Sequence, residues 1–376
     1  MLDNLSSLRM EPSRMDRLCD PRQQFQFLSQ LVLPASSQTS ATRLSAIAHN
    51  LNRGEFEAVA ALAAKNHVIV RAFSSLTELL RSASTETKEW VSRAAEQEGA
   101  RIHHALDFLD RICATLEKEG CPVTVIKSLD HWPDLGSDLD LFTDAEPSHI
   151  VNVMRTKLDA KIDDRSWGDR LANKWNFVVP GLPELVEVHI RRLGQTGEQT
   201  VLTKSLLQRT RIANIGQYSF RVLAPEDRII ISTLQRMYRH FYIRLCDVID
   251  NAGLLESGHV HFTRLHSLGC AAGIWEGIAS YLRIISGYVE EFCGLGIALP
   301  TLVTASAKFG VEQVYYRRNF LRVPILPHSL NLYGGELREL VMRGDVRNSL
   351  RLSLLPGLAA AAALELKLTG SDKGIW

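Results

Sequence analysis

The stretch from Val123 to Thr143 reads Val-Thr-Val-Ile-Lys-Ser, then a turn-rich loop, then Asp-Leu-Asp-Leu-Phe-Thr. Val123–Ile126 and Leu139–Phe142 have the apolar, β-favouring composition of buried strands. Asp138 and Asp140 are two residues apart on the second run, so both carboxylates project from one face of an otherwise apolar strand. Like charges held side by side in a folded sheet repel unless a cation lies between them. A hard divalent ion with oxygen ligands, Mg²⁺ or Mn²⁺ in its place, answers that need.

The surrounding pattern is helical, then mixed, then helical. Apolar residues recur at three- and four-residue spacing from Ser45 to about Ser84, and a long helix is expected from about Thr87 to Glu119, stopped by Gly120. Pro147–Leu158 reads as a helix. Trp175–Val179 and Leu185–Ile190 read as a hairpin around Pro180-Gly181-Leu182-Pro183, and Arg211–Ile215 with Tyr218–Val222 as a shorter pair. After Pro225 the helical period returns and persists to about Gly294. The expected fold class is α+β: a small mixed β-sheet core flanked by helical N- and C-terminal regions. The expected divisions are an N-terminal helical extension over 1–95, the core over 96–222, a helical lobe over 223–300 and a C-terminal mixed or helical segment over 301–376.

The strand Leu-Val-Glu-Val-His-Ile at 185–190 puts Glu187 and His189 on one face. Beside the Asp-x-Asp strand, Glu187 completes a cluster of three carboxylates, a set that suits phosphoryl or nucleotidyl transfer with one or two Mg²⁺ ions. His189 is expected to orient Glu187 or contact substrate, or else to be a hydrogen-bonded structural histidine. Lys127 and Ser128 close the first strand, where an ammonium, a hydroxyl and backbone N–H groups can cradle phosphate oxygens. Arg236, Arg239, His240 and Arg244 read as a solvated basic face, and Glu226 with Asp227 as helix-start acids.

Composition narrows the partners. The formal net charge is +1, so nothing global favours nucleic acid or a membrane surface. The six cysteines are scattered without a Cys-x-x-Cys pair, which points to reduced thiols and a cytoplasmic setting. The apolar run Leu352–Leu364 is too short to span a bilayer.

Taken in order, several motifs resemble the nucleotidyltransferase superfamily of DNA polymerase beta type, in its bacterial "nucleotidyltransferase family protein" branch. They are Val125-Ile126-Lys127-Ser128, Trp132-Pro133, Asp138-Leu139-Asp140-Leu141, Val186-Glu187-Val188-His189, Leu223-Ala224-Pro225-Glu226-Asp227 and Asp247-Val248. The resemblance covers about residues 50–255. It departs at Ser128, where the branch has glycine, and before Asp138, where an arginine is missing. The resemblance implies Mg²⁺-dependent transfer of a nucleoside monophosphate from a nucleoside triphosphate to a small-molecule or protein acceptor. Asp138, Asp140 and Glu187 would hold the metal and carry the catalysis, and Lys127, Ser128 and His189 would meet the nucleotide. The alternatives are a catalytically silent nucleotide- or protein-binding module, or the nucleotidyltransferase of a toxin–antitoxin pair.

Overall fold

The computed structural model describes residue 18 and residues 20–33, 37–81 and 85–369. The polar tail over 1–17 and Cys19 lie outside the described residues. The chain folds as the α+β arrangement expected, with a seven-stranded mixed sheet, a separate three-stranded sheet, and helices on both sides in sequence.

Four helices lead in, Pro21–Val32, Gln38–His49, Arg53–Lys65 and Ile69–Leu79. Their starts follow local chemistry. Asp20 accepts from the N–H groups of Arg22 and Gln23, and Asn52 forms a reciprocal capping box with Glu55. The long helix spans Thr85–Lys118 and ends where Gly120 takes a φ of 78°. It runs unbroken through residue 95, so the N-terminal extension and the core share it.

The strands of the main sheet are β1 (Thr124–Val125), β2 (Asp138–Thr143), β3 (Lys161–Ile162), β4 (Lys174–Val178), β5 (Leu185–Ile190), β6 (Thr210–Ile215) and β7 (Tyr218–Leu223). They lie in the order β3-β4-β5-β2-β1-β7-β6. The β4–β5 and β6–β7 hairpins form as their turn residues require. The pairing that matters most is parallel: β2 lies beside β5 with Asp140 opposite Glu187 and Phe142 opposite His189. Opposite residues share a face, so the parity in each strand becomes one polar stripe.

That register also divides the core. Leu139, Leu141, Val186 and Val188 pack with Leu106, Leu109 and Ile112 of the long helix. The other face meets the second cluster, where Ile126 and Phe142 pack with the N-terminal helices and the C-terminal lobe. The polar stripe lies on this second face, along the seam between sheet and lobe.

The lobe begins with helix Pro225–Thr233 and continues as a π-helical turn, Leu234–Arg239. The wider turn reorients successive side chains, and such turns often occur at functional sites. Strand β8 (Tyr242–Ile243) then pairs with β10 (Phe320–Arg322), which pairs with β9 (Tyr315–Arg317). This small sheet was not foreseen; its strand β9 is the run Tyr315-Tyr316-Arg317. Helices Leu245–Glu256, Phe262–Ala272 and Trp275–Cys293 complete the lobe.

Buried ion pairs hold the lobe together and fasten it to the rest. Arg236 meets Asp247 at 2.7 Å with both side chains almost fully buried, and Arg71 meets Asp250 at 2.7 Å. Glu226 and Asp227 stand in the first turn of their helix as expected, and both also pair with Arg209. Removing one partner of a buried pair strands the other charge away from water. Arg236→Leu is therefore expected to cost about 3–5 kcal/mol in urea unfolding. Arg53→Ala, which breaks the exposed Arg53–Glu57 pair, is expected to cost less than about 0.5 kcal/mol.

Candidate active site

The site is built outward from the end of β1. Ser128 N–H donates to the Ile126 carbonyl at 2.6 Å, and Lys127 between them has φ 60° and ψ −58°. This is a γ-turn of the rare, strained kind, in a region that favours glycine. The turn aims the Lys127 side chain back over the sheet, where its ammonium meets Asp140 Oδ1 and lies 3.4 Å from His189 Nε2. Lys127, expected to wait for phosphate, thus serves as the nearest cation of the carboxylates.

Ser128 is buried and fully engaged. Its hydroxyl donates to the Asp138 carbonyl at 3.0 Å and accepts from the Asp140 N–H at 2.7 Å. It fastens the loop to β2, and in this state it has no hydroxyl hydrogen left for a phosphate. The arginine missing from the loop's own sequence has a spatial counterpart: Arg101, from the long helix, donates to the carbonyls of Leu135 and Gly136.

One oxygen each from Asp140 and Glu187 and one His189 nitrogen lie within 4.8 Å of one another. This is the tightest donor trio at the site, and Asp138 stands beside it with its Oδ2 accepting from Ser137 Oγ at 3.3 Å. Lys174 ties off the far side at 2.9 Å from both Glu187 Oε1 and Asp169 Oδ1. Among the described residues no hydrogen bond reaches Asp140 Oδ2 or Glu187 Oε2. Each carboxylate keeps one oxygen for a further partner. A set of carboxylate oxygens with one imidazole nitrogen fits Mg²⁺, and fits Mn²⁺ at least as well.

The electrostatics follow from this crowding. Burial, then the charges of Glu187 and Asp140, push the Asp138 carboxyl up to about 6. Burial also opposes the charge on Asp140, but Lys127 and His189 more than offset it and hold that carboxyl well below the usual range. Burial and the Lys127 charge lower the His189 imidazole, leaving it neutral at neutral pH. Burial opposes the Lys174 charge, and Glu187 with Asp169 sustains it.

The basic helix stretch separates into different roles. Arg236 is spent on Asp247, and Arg244 donates to His67 Nε2 at 2.6 Å. Arg239 has no ion pair or side-chain hydrogen bond among the described residues, and it lines a pocket with Lys127, His189 and Gln235. Its periodicity alone did not distinguish it from its neighbours; the π-turn does. A second donor trio, His131, Cys246 and Asp247, is already committed, since Asp247 holds Arg236 and His131 holds Asp250 at 2.5 Å. Comparison of the chain with protein-family models, curated proteins and solved structures finds no match.

Two measurements check this description. The Asp138 carboxyl, followed by carbon NMR, is expected to titrate near 6, and Mg²⁺ is expected to drive that titration downward. Because ionisation is harder in the folded state, wild type should lose stability relative to Asp138→Asn as pH rises from about 4 through 6. In the γ-turn, Lys127→Gly relieves strain that Lys127→Ala keeps. The glycine variant is expected to be the more stable of the two by about 1 kcal/mol in thermal unfolding.

Proposed function

We propose that this chain is a Mg²⁺-dependent nucleotidyltransferase that moves a nucleoside monophosphate from a nucleoside triphosphate to an acceptor. The observation that carries the reading is the Asp140–Glu187 register across parallel strands, with an oxygen of each carboxylate free of hydrogen bonds and the Lys127 and Lys174 ammonium groups on the others. Mg²⁺ held by Asp140 and Glu187, with Asp138 adjacent, would neutralise triphosphate charge and favour an ionised attacking oxygen.

The remaining chemistry belongs to the side chains. Arg239 supplies a guanidinium for phosphate oxygens, and Lys127 can transfer its ammonium from Asp140 to a phosphate when the carboxylate gains another partner. Glu187 accepts the proton of the acceptor group, and neutral His189 stands beside it to hold or relay that proton. The oxygen of the acceptor bonds to the α-phosphorus as the bond to the β-phosphate breaks, and pyrophosphate leaves with the electron pair. The pocket at Lys127 and His189 measures only about 40 Å³. The cleft of about 300 Å³ at Gly136, Ser137 and His67 is the space for the nucleoside.

The ammonium groups on Asp140 and Glu187 favour one other reading, a silent binding module whose carboxylates are permanently neutralised from within. A cytoplasmic setting suits the five free cysteines among the described residues, none of whose helices is long and apolar enough to cross a membrane.

The test is calorimetric titration with each triphosphate in the presence of Mg²⁺, followed by pyrophosphate release over an acceptor panel. Asp140→Asn and Glu187→Gln are expected to lower turnover by about a thousandfold, the scale of lost electrostatic stabilisation. Lys127→Ala and Arg239→Ala should mainly weaken triphosphate binding, by about ten- to a hundredfold each. Triphosphate binding without pyrophosphate release from any acceptor would favour the silent module.

A further inference from the structure

A larger space in the lobe lies next to the site and is unlike it. A cavity of about 680 Å³ opens between the π-helical turn and the C-terminal helices Leu330–Met342, Val346–Ser353 and Leu355–Thr369. That size is within the range of sites that enclose a small organic molecule. It shares Gly194, Gln195, Leu234 and Arg239 with the pocket at Lys127 and His189, so the two lie side by side with Arg239 between them.

The walls are mainly apolar and aromatic, with Tyr238, Phe241, Tyr333 and Leu352 among them. Two carboxylates break that surface. Glu198, 4% exposed, accepts from the N–H groups of Gln195 and Thr196 and from the Thr196 hydroxyl. Glu336, 1% exposed, uses Oε1 to accept from Gln199 Nε2, and no hydrogen bond or ion pair among the described residues reaches its Oε2. Neither carboxylate is ion-paired among the described residues; Arg351 acts on Glu198 only at longer range. Burial and the Glu198 charge push the Glu336 carboxyl well above its ordinary value. Buried carboxylates side by side in an apolar wall are costly, and a ligand cation relieves both burial and repulsion.

We infer that this cavity binds the acceptor as an amphipathic amine, its protonated nitrogen between Glu198 and Glu336 and its apolar body against the aromatic wall. The aromatic rings add attraction for the ammonium. A nitrogen that is protonated and ion-paired has no lone pair for attack, so the nucleophile is a separate hydroxyl at the other end of the molecule, directed past Arg239 toward Lys127 and His189. That oxygen bonds to the α-phosphorus, the bond to pyrophosphate breaks, and the hydroxyl proton passes to Glu187. The acceptor role rests on the nucleotidyltransferase reading; the binding of an amine does not.

The experiment uses the full chain without nucleotide and ω-amino-octanol as the probe, with octanediol and ω-hydroxyoctanoate as neutral and anionic controls. Calorimetry is expected to show the amine binding at least about tenfold tighter than the diol, with the anion weakest. Glu336→Gln should erase that preference. Leu330→Trp, at an exposed position on the rim, should block all three ligands without lowering the melting temperature. Asp140→Asn should bind the amine as wild type does. Equal binding of amine and diol, or a preference that survives Glu336→Gln in a folded protein, overturns the proposal. So does pyrophosphate release with another acceptor that amines do not inhibit, an outcome that leaves nucleotidyl transfer standing. Glu336-dependent amine binding with no triphosphate binding would instead uphold the cavity and remove the nucleotidyltransferase reading.

Discussion

The contact between Lys127 and Asp140 is the interaction around which the rest is arranged. Two acidic residues on one strand face and a third on the neighbouring strand would repel one another strongly beneath the lobe. The ammonium of Lys127 and that of Lys174 allow the sheet to close over them. The cost appears in the backbone, where Lys127 accepts a positive φ at the centre of a γ-turn. Ser128 secures that turn by bonding twice to β2. A local strain of this kind persists only where the surroundings over-determine it, and here two hydrogen bonds and an ion pair do so.

This arrangement also explains the asymmetry among the acids. Asp140 has the cation in contact and stays ionised, whereas Asp138 is hydrogen-bonded only by a hydroxyl and is raised by burial and then by its acidic companions. Carboxylates with the same spacing and chemistry are thereby poised differently by where one lysine points. Groups pushed apart in this way are common where proton or metal chemistry takes place.

Much of the sheet could be read from the residues because strand parity and turn chemistry are local. The hairpins, the Asp-x-Asp strand and the helix stopped by Gly120 all follow from neighbours in sequence. The polar face of β5 was equally legible, since Glu187 and His189 alternate with branched apolar residues. What could not be read depends on contacts distant in sequence. Nothing near Lys127 in the chain says that its ammonium bends back to Asp140. Nothing around Arg239 distinguishes it from Arg236 until the wider turn at Leu234–Arg239 sends one inward and leaves the other unpaired. The small sheet of β8, β9 and β10 was missed for the same reason, because its strands are very short and are assembled from segments far apart.

The parallel register decides when during folding the acidic cluster comes into being. Asp140 and His189 are 49 residues apart, and the sheet is extended further by β1 pairing with β7. Closing such loops costs entropy before the pairing can return it, so contacts of this span form slowly. The β4–β5 hairpin needs only local contacts and can bring Lys174, Glu187 and His189 together early. Strand β2 joins afterwards. A nascent chain that has not yet extended through β5 carries Asp138 and Asp140 but no cluster, so the growing polypeptide does not gather those charges before it has a fold to contain them.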